Sequence, residues 1–176
     1  MRKLQSKHRQ EGHQLSTLVS LMMQKWPNMQ KEYSFPGTAN DELFLASYPH
    51  QLGQSCDNCD QRQTVSRPPR LNSDAYIHYG TIGSANLVVK DAAVRDELRR
   101  DMNILCVEME AAGLMDAFPC LVVRGICDYA DSHKNEQWQA YAAVMAAAYM
   151  KELLLTIPTL IVKETLQANA MTESSE

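Results

Sequence analysis

The amino-terminal part of the chain carries one clear helical pattern. Apolar residues recur there at steps of three and four, which is typical of a helix with one apolar face. They are Leu15, Leu18, Val19, Met22, Met23 and Trp26. Pro27 follows directly and cannot continue a helix. The sequence therefore predicts a helix over residues 13–27 that needs a partner surface for its apolar face.

Between residues 28 and 73 neither a helical nor a strand period is present. Turn-forming pairs such as Phe35-Pro36 and Tyr48-Pro49 alternate with the segments CDNCD and RPPR. Loops of more than about 12–15 residues without secondary structure are usually functional or disordered. We interpret this stretch as a long loop insertion.

After Asn72 the pattern alternates between strand-like and helix-like segments. Short continuous apolar runs are typical of strands buried on both faces of a sheet. The predicted strands are Ala75–Ser84, with Leu87–Val89 extending or following it, Ile104–Val107 and Cys120–Cys127. The predicted helices run from an Asp91 cap through Arg100, from Glu110 to Phe118 before Pro119, and from an Asn135 cap over Glu136–Leu155.

This alternation predicts an α/β fold, because parallel strands need crossover connections that are usually helices. We expect a layered, mixed and mostly parallel sheet flanked by helices, with its core in residues 74–156. Alanines at positions 142, 143, 146, 147 and 148 would allow the last helix to pack closely on that sheet. Residues 163–176 contain little to bury and are expected to form a disordered tail.

Composition narrows the class of protein. The 176 residues are 45% hydrophobic and 22% charged, as in an ordinary single domain. There are 17 Lys and Arg against 21 Asp and Glu, a net charge of −4, which argues against nucleic acid as a partner. The apolar run Ala142–Met150 is far shorter than the ~20 residues that cross a bilayer. We expect a cytoplasmic protein with no membrane partner.

The five cysteines do not indicate a disulfide framework, and only Cys56 and Cys59 form a CxxC pair. A structural zinc site takes four ligands, and His50 is the nearest further candidate. The sequence therefore predicts no tightly bound zinc. A thiol pair that stabilises the loop and two cysteines without a special role remain as interpretations.

Acidic residues follow two of the predicted strands. Glu108 and Glu110 come after Ile104–Val107, and Asp128 comes directly after Cys120–Cys127. Ligands bind at the carboxyl ends of parallel strands, so this spacing predicts an acid-lined pocket. A carboxylate can accept two hydrogen bonds from a cis-diol, and one with a raised pKa can protonate a leaving group. Helix capping and solvated loop ends are the alternative interpretation.

Arg124 lies in the middle of the apolar run Cys120–Cys127. A guanidinium is rarely buried without a partner, so we predict that Arg124 pairs with one of these acids. A structural and a catalytic role for this pair both remain open.

Two segments together resemble a known family. VEMEAAG (Val107–Gly113), followed by FPCLVVRGICDYAD (Phe118–Asp131), resembles the paired motifs of the purine and uridine phosphorylase superfamily, which includes the methylthioadenosine/adenosylhomocysteine nucleosidases. The preceding IHYGTIGSAN resembles the strand that enters the same site. From about His13 to Leu155 the chain is similar to nucleoside phosphorylase-like domains of filamentous fungi, including the CDNC and RPPR segments.

This resemblance implies cleavage of the bond between a purine-type base and ribose, by water or by phosphate as co-substrate, with no other cofactor. It implies that Glu110 holds the ribose hydroxyls and that Met109 packs against the sugar. Asp128 would protonate or hydrogen-bond the leaving base, and Ser84 to Val88 would lie near that base. Protonation helps the base to leave as positive charge develops on the sugar.

The sequence departs from the family pattern at several points. Cys127 stands where a serine is frequent, Val88 stands where relatives carry an aromatic ring, and Glu108 has no role that the resemblance supplies. Nothing in Met1–Trp26 resembles the glycine-rich region that binds phosphate or activates water. We therefore expect residues 1–162 to be the carboxyl-terminal portion of the domain, without its amino-terminal strands and with little or no turnover on its own.

Two further interpretations remain open. The chain could be a non-catalytic nucleoside-binding or interaction module of a fungal signalling protein, or an α/β remnant without function. Members of the resembled family are commonly oligomers, so we also expect a second copy or an upstream domain half as a partner.

Overall fold

The computed structural model describes residues 2–51, 53, 55–70, 72–118 and 120–158. Its helices are α1 (Arg2–Glu11), α2 (Leu15–Lys25), α3 (Gln30–Tyr33), α4 (Ala92–Met102), α5 (Ala112–Met115) and α6 (Gln139–Leu155). Its strands are β1 (Thr81–Ser84) and β2 (Ile104–Glu108). Short 3-10 turns lie at Pro27–Met29, Thr38–Asn40, Cys56–Asn58 and Gln61–Gln63.

The main hydrophobic core lies between the amino-terminal helices and α6. Helix α2 begins at Leu15 and ends at Lys25, as the apolar stripe predicts, and packs against α6. The buried members of this core are Leu4, Leu15, Val19, Val144, Met145, Ala148, Tyr149 and Leu153. Burial of such side chains contributes about 1.5–3 kcal/mol each, so the pairing of α2 with α6 is the main source of stability in this half.

The second structural unit is a parallel β–α–β crossover. Strands β1 and β2 pair in parallel, and α4 connects them. The Asp91 side chain accepts hydrogen bonds from the amides of Ala93 and Val94, which confirms the predicted cap. At Gly83 the strands pair closely, since a β-carbon there would lie 2.8 Å from Cδ1 of Ile104 and that side chain would have to shift. The register places Ser84 opposite Glu108 at the carboxyl ends of both strands.

The structure shows mixed helix and strand, but among the described residues the sheet has two strands. The strand prediction for Cys120–Cys127 is wrong, and residues 75–80 and 87–89 are also outside any strand. An apolar run forms a strand only when neighbouring backbone satisfies its N–H and C=O groups. Such ladder bonds are present for Ile104–Glu108 and not for Cys120–Cys127.

The remaining helices are shorter than the sequence predicts. Helix α5 covers only part of Glu110–Phe118, and α6 begins at Gln139 instead of Glu136. Asn135 caps the turn before α6, since its side chain accepts a hydrogen bond from the Gln137 amide at 3.1 Å. Helix α6 packs mainly on α2 and α3. It also lies close to the 120–127 segment at Gly125, where a β-carbon would overlap the backbone of Ala142.

Residues 41–70 form what we call the closed loop. Phe44 and Thr64 make an antiparallel bridge, flanked by hydrogen bonds from Leu45 N to Gln63 O and from Val65 N to Leu43 O, at 2.8 and 2.7 Å. The stretch predicted as a long loop is thus largely irregular, but backbone hydrogen bonds connect its two ends. The predicted tail, residues 163–176, lies outside the described residues. No helix within the described ranges combines the length and apolarity that crossing a membrane requires.

Candidate functional site

Two side chains at the end of the strand pair hold the loop that follows β2. One carboxylate oxygen of Glu108 accepts hydrogen bonds from the amides of Glu110 and Ala111, both at 2.8 Å. The Ser84 hydroxyl oxygen accepts one from the amide of Ala112, also at 2.8 Å. We call residues 108–112 the strand-end loop. Its backbone conformation is set by Glu108 and Ser84.

Glu108 is 5% exposed, yet the pKa of its carboxyl is lower than that of a free glutamate. Burial acts to raise the pKa of its carboxyl, but hydrogen bonds from Ser84 and from the backbone of residues 110 and 111 lower it overall. Its Oε1 is buried without a hydrogen-bond partner among the residues that the structure describes. Glu108, for which the resemblance supplies no role, is therefore the residue that positions the backbone of Glu110 and Ala111.

Glu110 and Arg124 form an ion pair, with 3.5 Å between Oε2 and Nη1. This confirms the prediction that Arg124 pairs with one of the acids. The Glu110 side chain is 75% exposed, and its Oε2 also accepts the Met109 amide at 3.1 Å. Met109 is 40% exposed. Both side chains are therefore accessible to a ligand.

Asp128 has a different environment, since its side chain is 13% exposed. It accepts hydrogen bonds from the Ala130 amide at 2.9 Å and from the Lys134 ammonium at 3.0 Å. Burial acts to raise the pKa of Asp128, but the Ala130 amide and Lys134 lower it overall. The carboxyl is thus ionised, whereas a carboxyl that donates a proton to a leaving base needs a raised pKa.

A cavity of about 820 Å³ opens beside Asp128. Its walls come from residues 75–80, β2, residues 121–131 and α6, and Arg124 and Asp128 both line it. Glu110 is not among the lining residues, nor are Ser84, Met109 and Val88. Glu110 is connected to the cavity through its ion pair with Arg124. Val88 is 42% exposed. It does not line the cavity, and it takes no part in the strand-end loop contacts described above.

The structure also places a charged cluster at this cavity that sequence reasoning missed. Asp41 accepts hydrogen bonds from Arg67 at 3.2 Å, from Arg70 at 2.9 Å and from the Tyr129 hydroxyl. Burial acts to raise the pKa of Asp41, but these partners lower it overall. Because Tyr129 follows Asp128 directly, this cluster fixes the closed loop to the segment that carries Asp128. The RPPR segment is the sequence signal that could have indicated this cluster. Its acidic partner, Asp41, lies 26 residues before Arg67 and 29 before Arg70, so the pairing is not visible in the sequence.

A set of metal-ligating side chains lies within the closed loop. The ligand atoms of His50, Cys56 and Cys59 are all within 4.8 Å of one another. Burial and the neighbouring Cys59 thiol raise the pKa of Cys56 to about 11.

Comparison with known proteins gives two relevant similarities. Over 129 residues, 72% of this chain, the sequence is 44% identical to a nucleotide-binding leucine-rich repeat (NLR)-like protein of Hyaloscypha variabilis. Over 122 residues, 65% of this chain, it is 39% identical to the ATP nucleosidase Cap17 of Escherichia coli. The chain is thus similar to a nucleosidase over about two thirds of its length. It spans only 12% and 24% of the length of these two relatives.

No family model and no solved structure matches the chain. The nucleosidase-like assignment therefore rests on these relatives.

Proposed function

We propose that this chain provides the ribose- and base-binding part of a nucleosidase-type site that cleaves the N-glycosidic bond of a purine nucleoside or nucleotide, by water or phosphate. The observation that carries the proposal is the 39% identity to an ATP nucleosidase over 65% of the chain. The carboxylates at the two positions that the sequence motifs single out, Glu110 and Asp128, supply the chemistry.

Glu110 is suited to bind the ribose. Its carboxylate is largely exposed, and Arg124 at 3.5 Å is its counter-ion. A carboxylate with free lone pairs can accept hydrogen bonds from both hydroxyls of a cis-diol. The Glu108 hydrogen bonds fix the backbone on both sides of this carboxylate, so little order has to be gained when the sugar binds. Met109 supplies the adjacent apolar surface for the sugar.

Asp128 is suited to contact the base. Its carboxyl has a lowered pKa and is paired with Lys134, so it can accept a hydrogen bond from an amino group of the base. To act as a general acid it must first take up a proton. Displacement of Lys134 by an uncharged base would remove the cationic partner and raise the pKa of Asp128. Binding of the substrate would then itself activate Asp128 as a general acid.

The cavity suits a nucleoside better than a chain of phosphates. Its volume of about 820 Å³ lies within the usual range of small-molecule sites, about 300–1,000 Å³. Arg70, Arg95, Arg99 and Arg124 line it, but so do the carboxylates of residues 41, 42, 74, 96, 128 and 131. Because acidic groups outnumber basic ones, we propose that the cavity takes the base beside Asp128, that the ribose reaches Glu110 next to Arg124 at the edge of the cavity, and that any phosphates extend outside it.

A second candidate is a nucleoside-binding or interaction module without catalysis, within a signalling protein. The observation that favours it is the 44% identity to an NLR-like protein of which this chain spans 12%. The ionised, lysine-paired state of Asp128 also agrees with binding alone. In this reading, a second copy or another part of a longer protein is the partner.

One assay distinguishes the two candidate functions. The chain is incubated with adenosine, inosine, guanosine, AMP and ATP, with and without phosphate, and free base is measured by chromatography. Base release that is lost in Asp128→Asn supports the enzyme, and phosphate dependence separates phosphorolysis from hydrolysis. Binding by calorimetry without base release supports the module. Neither binding nor release for any of the five compounds would contradict both candidates.

A further inference from the structure

The closed loop is attached to residues 131–133 by several independent contacts. The amide of His50 donates to the Ser132 hydroxyl oxygen at 2.9 Å, and the Cys56 thiol donates to the His133 carbonyl oxygen at 3.9 Å. The ring of Phe44, which is 1% exposed, stacks on the His133 ring with 4.1 Å between centroids. Two parts of the chain that are far apart in sequence therefore meet around the CxxC pair.

Local structure presents the two thiols together. Cys56–Asn58 is a 3-10 turn closed by a hydrogen bond from Cys59 N to Cys56 O at 2.9 Å. Cys59 is 7% exposed. With the His50 ring, the thiols form a set whose ligand atoms lie within 4.8 Å. Ligand atoms around a tetrahedral zinc ion are roughly 3.5–3.8 Å apart, from Zn–S and Zn–N bonds of about 2.3 and 2.0 Å. A contraction of about 1 Å reaches that geometry.

The hydrogen bonding of His50 determines which of its nitrogens is free. Nε2 lies 3.1 Å from the Ser55 carbonyl oxygen, which can only accept a hydrogen bond. Nε2 therefore carries the proton, and Nδ1 has a lone pair available to a metal. A ring N–H bonded to a backbone carbonyl is a usual companion of metal-binding histidines, because it fixes the tautomer and the ring orientation.

We propose that His50, Cys56 and Cys59 bind a zinc ion that joins the closed loop to the segment following Asp128. Two thiolates and an imidazole are a donor set that zinc prefers. Binding replaces the two thiol protons, which are released to solvent as the two zinc–sulfur bonds form. The sequence predicts no zinc because three ligands fall short of four; the contacts of His133, 77 residues after Cys56, bring a fourth candidate to the site.

His133 is the fourth ligand in this proposal. Its ring centroid is 5.5 Å from that of His50, and its side chain is 5% exposed. Its Nε2 is buried without a hydrogen-bond partner among the described residues, and its Nδ1 is 3.9 Å from an Asp131 carboxylate oxygen. An unpartnered buried nitrogen is unfavourable, and metal binding would satisfy it. A carboxylate beside the other ring nitrogen is the arrangement common around zinc-bound histidines.

The test measures metal on the protein purified under reductant without added zinc. We expect about one zinc per chain by mass spectrometry, and loss of that zinc in Cys56→Ser and Cys59→Ser. Cys120→Ser is the matched control, because Cys120 is an exposed cysteine outside the closed loop and should leave the zinc in place. In His133→Gln the affinity should fall at least tenfold, by competition with a chromogenic chelator; an unchanged affinity would contradict the role of His133.

A cobalt titration of the wild-type chain tests the site even if the cysteine variants fail to fold. Titration of Co²⁺ into the metal-free wild-type chain should produce thiolate-to-cobalt absorption in the near ultraviolet and the visible bands of a tetrahedral site, saturating at one equivalent. A chain that is folded by circular dichroism, carries no zinc and gives no such absorption would overturn the proposal. A Cys56–Cys59 disulfide in protein kept under reductant would overturn it as well.

Discussion

The strand-end loop and the closed loop are held in place by different kinds of interaction. In the strand-end loop, Glu108 bonds the amides of the second and third residues after it, and Ser84 at the end of the paired strand β1 bonds the amide of Ala112. In the closed loop, Asp41 is bonded by Arg67, Arg70 and Tyr129, which are 26 to 88 residues away. The first arrangement can form as soon as β1 and β2 pair, whereas the second requires contacts over a much longer stretch of the chain.

This difference assigns the two regions different parts in the proposed function. The strand-end loop presents an exposed carboxylate, Glu110, on a backbone that is already ordered. The closed loop instead fixes the position of Tyr129 and, through it, of Asp128. Substitutions in the closed loop should therefore lower both the stability of the chain and its binding of the base. Substitutions in the strand-end loop should weaken its binding of the ribose.

The largest effect is expected from Asp41→Ala. This change leaves Arg67, Arg70 and Tyr129 without their common acceptor, so we expect a loss of about 2–3 kcal/mol in the free energy of unfolding. Chemical denaturation monitored by circular dichroism measures it. Asp101→Ala is the control, since Asp101 pairs only with its exposed neighbour Arg100 among its described contacts and should change stability by less than about 0.5 kcal/mol. Equal losses in both variants would contradict the role of the Asp41 cluster.

Glu108→Ala should have the next largest effect. It removes the acceptor of the Glu110 and Ala111 amides, and we expect a loss of about 1–3 kcal/mol. Nucleoside binding should weaken as well, because Glu110 loses its fixed position. The control is Glu97→Ala on the exposed face of α4. If Glu108→Ala lowered stability but left nucleoside affinity unchanged, the positioning role would be wrong.

Acid should weaken both regions. The pKa values of Asp41, Glu108 and Asp128 are all lower in the folded chain than in the unfolded one, so the unfolded chain takes up protons at higher pH. The stability that these groups contribute is present above about pH 4 and is lost as the pH falls through their folded values. Denaturation curves between pH 7 and 3 measure this loss. The decrease should be smaller in Asp41→Ala and in Glu108→Ala, and an unchanged pH dependence in both variants is the contrary result.

A smaller effect is expected from Lys134→Met. Without the ammonium at 3.0 Å, the pKa of Asp128 should rise, while the stability should change little because the Lys134 side chain is partly exposed. Nuclear magnetic resonance titration of the Asp128 carboxyl carbon follows this pKa directly. An unchanged pKa would show that the Ala130 amide, and not Lys134, keeps Asp128 ionised.

Features with a local cause were predictable from the sequence. The stripe of α2, the Asp91 cap and the strand Ile104–Glu108 each depend on residues within one element. Pairing of Arg124 followed from the cost of an unpaired guanidinium, although its partner was not specified. Cys120–Cys127 was misread because an apolar run has the same appearance whether or not a neighbouring strand completes its hydrogen bonds.

Features that depend on distant residues were not predictable. No periodicity connects Asp41 with Arg67, Arg70 and Tyr129, and no spacing rule brings His133 to the CxxC pair. Glu108 has no role in the sequence prediction because two of its partners are backbone amides, which carry no sequence signal, and the third, Ser84, is 24 residues away.

The central claim is that Glu110 binds the ribose of a purine nucleoside, and calorimetric titration of adenosine tests it most directly. The wild-type chain should bind one adenosine, and Glu110→Ala should lose about 1–3 kcal/mol of binding free energy because the ribose hydroxyls lose their acceptor. Glu97→Ala should bind as the wild type does, and 2′,3′-dideoxyadenosine should bind wild type and Glu110→Ala equally. Equal adenosine affinity in the wild type and Glu110→Ala, or no binding to either, would contradict the account.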